Sequence, residues 1–296
     1  MVSVPYAYTT AGFRTGFVIQ LCVMATMLFT CSLYLETRRR LRCESSFTAV
    51  ASICLGPLSS LLINFLLTFC IFGVMNLYMI LFSRVVITLF GDPTNPSSIL
   101  NYKPFYLVLL CIVQLPIVLK KNIHELKIAS YMLFVGVFSL LTLLCVKLYY
   151  FGPHESRGIG IIAPTRPAIT TENIVDSLNI TVASFGFLLV LFPVRNSMKS
   201  TVRHQIGFSL MLALISVFSM YLLLSLLSII YFGRERIKPS LFDNFASATD
   251  WFSITVMYLF MFIFLCNIPF VFFGGKIALI SLIEQVQRMR NNTVTD

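Results

Sequence analysis

Long apolar runs, with the charges confined almost entirely to the stretches between them, limit what this chain can become more than any single motif does. Runs of roughly twenty residues recur at 16–35, 53–83, 104–119, 128–149, 177–194, 207–232 and 252–273. A helix rises about 1.5 Å per residue and a hydrocarbon core is about 30 Å thick, so each run is long enough, or nearly so, to cross a membrane. With 57% hydrophobic and 11% charged residues, a chain of 296 residues has too little polar surface to cover a soluble core. The reading is an all-α polytopic membrane protein with seven full transmembrane helices, preceded by a stub at residues 1–12 too short to span.

The net charge of +10 does not point to nucleic acid, because the basic residues are spread over short loops rather than gathered on one face. Their distribution speaks to orientation instead. One alternate set of loops holds Arg38, Arg39, Arg40 and Arg42, then Lys120, Lys121 and Lys127, then Arg195, Lys199 and Arg203, then Lys276, Arg288 and Arg290. The opposite set, Lys147 and Arg84 among its members, has nine basic residues against these thirteen. The richer set is placed in the cytoplasm, and the loops at 84–103, 150–175 and 233–250 then face outside or into a lumen.

No Cys pair falls in the exofacial loops, so an external disulfide is not expected. No Cys/His spacing suggests a metal. The start, MVSVPYAYTTAGFR, has no basic region ahead of its apolar stretch and does not read as a signal peptide. The sequons at Asn179 and Asn291 fall in a span and on the cytoplasmic side, where neither is a good acceptor.

No span centre holds Asp, Glu, Lys, Arg or His, so an intramembrane protease dyad or a charged proton relay lacks its reactive groups. The sequence offers no enzyme chemistry. It does offer interrupted helices: Ala183-Ser-Phe-Gly-Phe187, Phe192-Pro193 and Asn267-Ile-Pro269. Proline and small residues weaken a helix, and in a bilayer the freed backbone groups must be met by protein or by a water-filled cavity. Secondary transporters bind small zwitterions and their coupling ions at such breaks.

These segments resemble a family. Ser3-Val-Pro-Tyr-Ala-Tyr with Ala11-Gly12 resembles the "LSLPYAF…AG" stretch in the first helix of amino acid/auxin permeases. Leu115-Pro116 with Leu126-Lys-Ile-Ala-Ser130 is similar to their junction between the fourth and fifth helices. Phe192-Pro-Val-Arg-Asn-Ser-Met-Lys199, Tyr231-Phe-Gly233, Asp243-Asn-Phe and Asn267-Ile-Pro-Phe-Val-Phe-Phe273 resemble elements around the sixth to eighth helices, in the family's order.

The resemblance implies a LeuT-type inverted-repeat fold: residues 1–150 as the first repeat (half of helix one, then helices two to five), 151–175 as an exofacial loop, and 176–296 as an incomplete second repeat with a cytoplasmic tail. It implies cation-coupled symport of amino acids, with Na+ or H+ as the coupling ion, a lipid bilayer as partner and no other cofactor. Neutral substrates fit a pocket without ionised residues, and the membrane is either the plasma membrane or a vacuolar or lysosomal one. Ser3 and Tyr6 would line the substrate cavity, Ser184, Phe185 and Gly186 would form the sixth-helix break, and Asn267 would stand as an Na+ ligand where sodium-coupled members have threonine. Ordinary helix packing is the alternative at the cavity and break positions, and an interhelical hydrogen bond ahead of a proline is the alternative at Asn267.

The departures are also specific. The family's "GxG" element would lie upstream of Met1, its sixth-helix histidine maps to Leu188, and helices nine to eleven have no counterpart. A fragment or an inactive truncated paralogue is the corresponding expectation. A seven-helix receptor is the alternative from a different class. It lacks a charged triplet after the third full span, an Asn-Pro-x-x-Tyr near the end, and the external disulfide.

Overall fold

A computed structural model describes residues 2–41, 47–91, 98–119, 125–153, 170–186, 205–245 and 250–295. In chain order its helices are α1 (Val4–Thr10), α2 (Phe13–Leu41), α3 (Phe47–Leu55), α4 (Pro57–Phe90), α5 (Lys103–Leu119), α6 (Glu125–Phe151), α7 (Thr171–Ser184), α8 (Ile206–Phe232), α9 (Leu241–Phe245) and α10 (Trp251–Thr295), with no strand among the described residues. Five segments are long and apolar enough to cross a membrane: Phe13–Leu41, Leu58–Phe90, Tyr131–Phe151, Ile206–Phe232 and Trp251–Pro269. The stretch Lys103–Pro116 is apolar but shorter. Five such helices among the described residues, rather than seven, is therefore the count the structure supports. The expected span at 177–194 leaves the helix at Ser184, and residues 187–194 lie outside the described set.

Three expectations change. The run at 53–83 belongs to two helices, because Gly56 sits at φ +87°, a conformation other residues rarely adopt, and Pro57 opens α4 with its φ already helical. α3 folds back against α4, and the Ser59 hydroxyl reaches the Ala51 carbonyl at 3.3 Å. Asn267-Ile-Pro269 does not break its helix: α10 runs through Pro269 and on to Thr295. Lys147 and Arg84 lie within α6 and α4 rather than in loops.

The chain folds into two compact units, each built from two separate stretches of the sequence. The first contains residues 1–34 and 135–257, the second 35–134 and 258–296.

In the first unit, α1 packs against α7 and α8. Small residues fill these contacts: Ala7 and Ala11 of α1, and Ser177 and Thr181 of α7, are buried, as close helix approach in a membrane requires. The segment expected as an exofacial loop, 233–245, lies along α1. The Arg234 guanidinium donates to the Thr9 carbonyl at 3.3 Å, where a cation suits the C-terminal end of the helix dipole. The Leu241 amide donates to the Val2 carbonyl at 3.3 Å, at the other end of α1. Ile237, Leu241, Phe242 and Phe245 are buried between these two points.

In the second unit, α4 and α10 run antiparallel. Phe90 meets Tyr258, Tyr78 meets Phe264, Gly275 abuts Ile71, and Asn64 and Ser60 bond Gln285. Residue numbers fall along α4 as they rise along α10, so one seam joins the two over most of their lengths. The Asn64–Gln285–Ser60 chain, at 2.8 and 2.6 Å, satisfies polar groups that could not otherwise be buried.

Candidate substrate site

α1 and the end of α7 are the elements that carry the substrate residues read from the sequence. α7 starts with Thr170, whose hydroxyl accepts from the Asn173 amide at 3.3 Å, an N-cap that satisfies one free donor. Ser177, Thr181 and Phe185 recur every fourth residue and form its buried stripe. α7 stops at Ser184. The Phe185 amide bonds the Thr181 and Val182 carbonyls at 3.1 and 3.2 Å, and the Gly186 amide bonds Ala183 at 3.4 Å, so the last turn tightens as it ends. The Tyr221 hydroxyl of α8 donates to the Ser184 carbonyl at 3.1 Å. Every carbonyl from 181 to 184 therefore has a donor.

The candidates fall in different surroundings. Ser3 is the half-buried residue ahead of α1 and its side chain makes no capping bond. Tyr6 is half-buried on α1, and its carbonyl accepts from the Thr9 and Thr10 hydroxyls. Ser184 is half-buried with its hydroxyl on the Ile180 carbonyl at 2.8 Å, and Gly186 is exposed. Phe185 is 1% exposed, packed edge-on against Tyr221 with ring centroids 5.5 Å apart. These five residues belong to the first unit, on two helices that pack together. Asn267 belongs to the second unit. It is buried in α10, where its amide nitrogen donates to the Ile263 carbonyl at 2.9 Å and leaves its oxygen facing away from that bond. Leu188 lies outside the described residues.

Sequence reasoning selected Tyr6 and passed over Tyr8. Tyr8 is the buried ring of α1, and its hydroxyl donates to the Gln20 side-chain oxygen. Gln20 in turn donates to the Phe218 carbonyl of α8 at 3.0 Å. This relay ties α1, α2 and α8 together, and Gly16 leaves the room for Tyr8: a Cβ there would stand 3.1 Å from the ring and 3.2 Å from the Tyr8 Cα. The signal was a lone glutamine inside an otherwise apolar span, a residue that must find a partner. Among the described residues no cluster of His, Cys, Asp or Glu could hold a metal ion.

The short α1 and an α7 that ends at Ser184 thus pack together in one unit. Comparison with known families decides the matter, since the model of the transmembrane amino acid transporter protein family matches residues 1–293. The chain belongs to this family. Membership indicates transport of amino acids across a membrane, makes the chain an integral multi-pass membrane protein in a lipid environment, and gives the seven-helix receptor no support. This is a family of transporters rather than of enzymes. No curated protein and no solved structure matches the chain.

Proposed function

We propose that the chain is a cation-coupled symporter of neutral amino acids that works by alternating access, with residues 1–150 and 176–296 as its two repeats. The observation that carries this reading is the end of α7 at Ser184-Phe185-Gly186, on a helix packed against α1. A helix C-terminus presents partial negative charge. The α-ammonium of a substrate would meet the carbonyls of the last turn and the Ser184 hydroxyl, while Ser3 and Tyr6 supply hydroxyls from α1. Neither α1 nor the stretch Thr181–Gly186 has a charged residue, which favours substrates with uncharged side chains. Asn267 supports Na+ as the coupling ion, since a carboxamide oxygen is a hard ligand of the kind such an ion takes. H+ is the other coupling ion tested.

The decisive experiment is uptake of labelled neutral amino acids by the purified chain in liposomes, under an inward Na+ gradient, an inward H+ gradient, or neither. Accumulation above equilibrium under one gradient alone is expected, with Ser184→Leu abolishing it. Uptake that merely equilibrates, whatever the gradient, would refute coupling. Preference for lysine or glutamate would refute neutral selectivity.

A further inference from the structure

Pro269 has no amide hydrogen, so the carbonyl four residues earlier, Leu265, loses its helical donor, and the proline ring pushes that carbonyl outward. In most helices this produces a kink or a break. Yet α10 is continuous here. The Gln114 side chain of α5 supplies what is missing: its nitrogen donates to the Leu265 carbonyl at 2.6 Å, across 151 residues of sequence and within the same compact unit. The orientation of the Gln114 amide follows from chemistry, because only its nitrogen can donate to a carbonyl.

The other half of the amide strengthens the case. The Gln114 oxygen is buried and has no hydrogen-bond partner among the described residues. An unpaired buried acceptor is destabilising, and leucine or methionine would fill the same space without it. A residue serving only to pack would not carry that penalty. Two residues earlier, the Asn267 side chain gives the Ile263 carbonyl an additional donor, so a second side chain supports the turn ahead of the proline.

We propose that Gln114 is a positioning residue that latches a proline hinge in α10. While its bond to Leu265 holds, α10 keeps its present course and Asn267 keeps its place on the buried face. When the bond opens, the helix is free to change its bend at Asn267–Pro269. A role for this motion in transport rests on the transport reading above, whereas the latch itself does not.

The test is a double-mutant cycle on the full chain in detergent: Gln114→Met, Pro269→Ala, and both. Methionine keeps the length of glutamine without the donor, and the Pro269→Ala change restores an amide hydrogen for Leu265. Hydrogen–deuterium exchange over residues 262–275 is the first readout. Gln114→Met is expected to speed exchange there about tenfold with Pro269 present, the equivalent of one lost hydrogen bond to a buried carbonyl. In the Pro269→Ala background the same change should speed it by less than about twofold, because the carbonyl already has its helical donor. Equal acceleration in both backgrounds, or none in either, would overturn the latch. If Pro269→Ala does not fold, Pro269→Ser offers the same amide hydrogen. In uptake assays, Gln114→Met should change turnover severalfold with KM within about twofold, and Pro269→Ala should restore it. A KM change without a turnover change overturns the positioning role. Should the parent chain move no amino acid, the transport reading fails while the exchange cycle still decides the latch.

Discussion

The ion pair between Lys147 and Asp250 supports a quantitative prediction, because its two partners are unequally buried. Lys147 Nζ lies 2.7 Å from the Asp250 carboxylate, with side-chain exposures of 7% and 39%. The ammonium also sits 5.3 Å from the centre of the Phe245 ring. Asp250 has a second task at the start of α10, where it accepts from the Ser253 amide at 3.1 Å and hydroxyl at 2.9 Å. Removing the two charges should therefore have different consequences. Asp250→Asn strands a buried ammonium. Removing one partner of a buried ion pair costs about 3–5 kcal/mol. The face of Phe245 offsets about 1 kcal/mol, leaving about 2–4 kcal/mol. Lys147→Met leaves a carboxylate that is partly solvated and still capped to Ser253, at a loss of about 0–1 kcal/mol. The double variant should match Lys147→Met. Unfolding in detergent followed by circular dichroism measures all three, and the single tryptophan, Trp251, reports from the position next to Asp250.

The pH dependence gives an independent check with a definite sign. Burial raises the Asp250 carboxyl, but the hydrogen bonds from Lys147 and Ser253 and the Lys147 charge outweigh it, and the group is held below its ordinary 3.8. A depressed carboxylate contributes stability in full above that ordinary value, and the contribution is lost as pH falls through the depressed one. The parent chain should be insensitive to the pair from pH 5 to 9 and weaken only in stronger acid. If Lys147→Met were as damaging as Asp250→Asn, the unequal-burial argument would be wrong.

Two further predictions concern packing. Gln20→Leu removes the donor to Phe218 and the acceptor of Tyr8 together, so it should lower stability by about 1–3 kcal/mol; Tyr8→Phe in the same background should add little, as a double-mutant cycle would report. Gly275→Ala places a methyl 2.8 Å from the Ile71 Cγ2 in the seam between α4 and α10, and should cost about 1–2 kcal/mol. Ile71→Ala removes that atom, so combining the two should recover part of the loss in the same unfolding assay; additive losses would contradict the seam.

Which features were legible in the sequence follows from the range of the forces involved. The spans at 16–35, 128–149, 207–232 and 252–273 were readable because a twenty-residue apolar run specifies its own burial in lipid. The end of α7 at Ser184 was readable too, since Phe185 and Gly186 close it with bonds to the turn just before them. The third segment hinged on Gly56, whose positive φ is a local signal that the length of the run concealed. At 233–245 the charges of Arg234, Arg236 and Lys238 read as an exofacial loop, yet the apolar residues between and after them fold under, against α1. One charge at Arg234 is itself spent on the Thr9 carbonyl.

The misread features share a physical cause, a partner far away in the chain. Lys147 reads as a loop charge until Asp250, 103 residues later, is seen beside it. Pro269 reads as a break by the same local rule that correctly ended α7. The rule holds at Ser184, where the helix ends, and fails at Pro269, where the helix continues and Gln114 donates to the one carbonyl that the proline leaves open. A proline in a membrane helix thus specifies a need for a donor. In this chain a neighbouring helix meets that need, through a single glutamine near the end of α5.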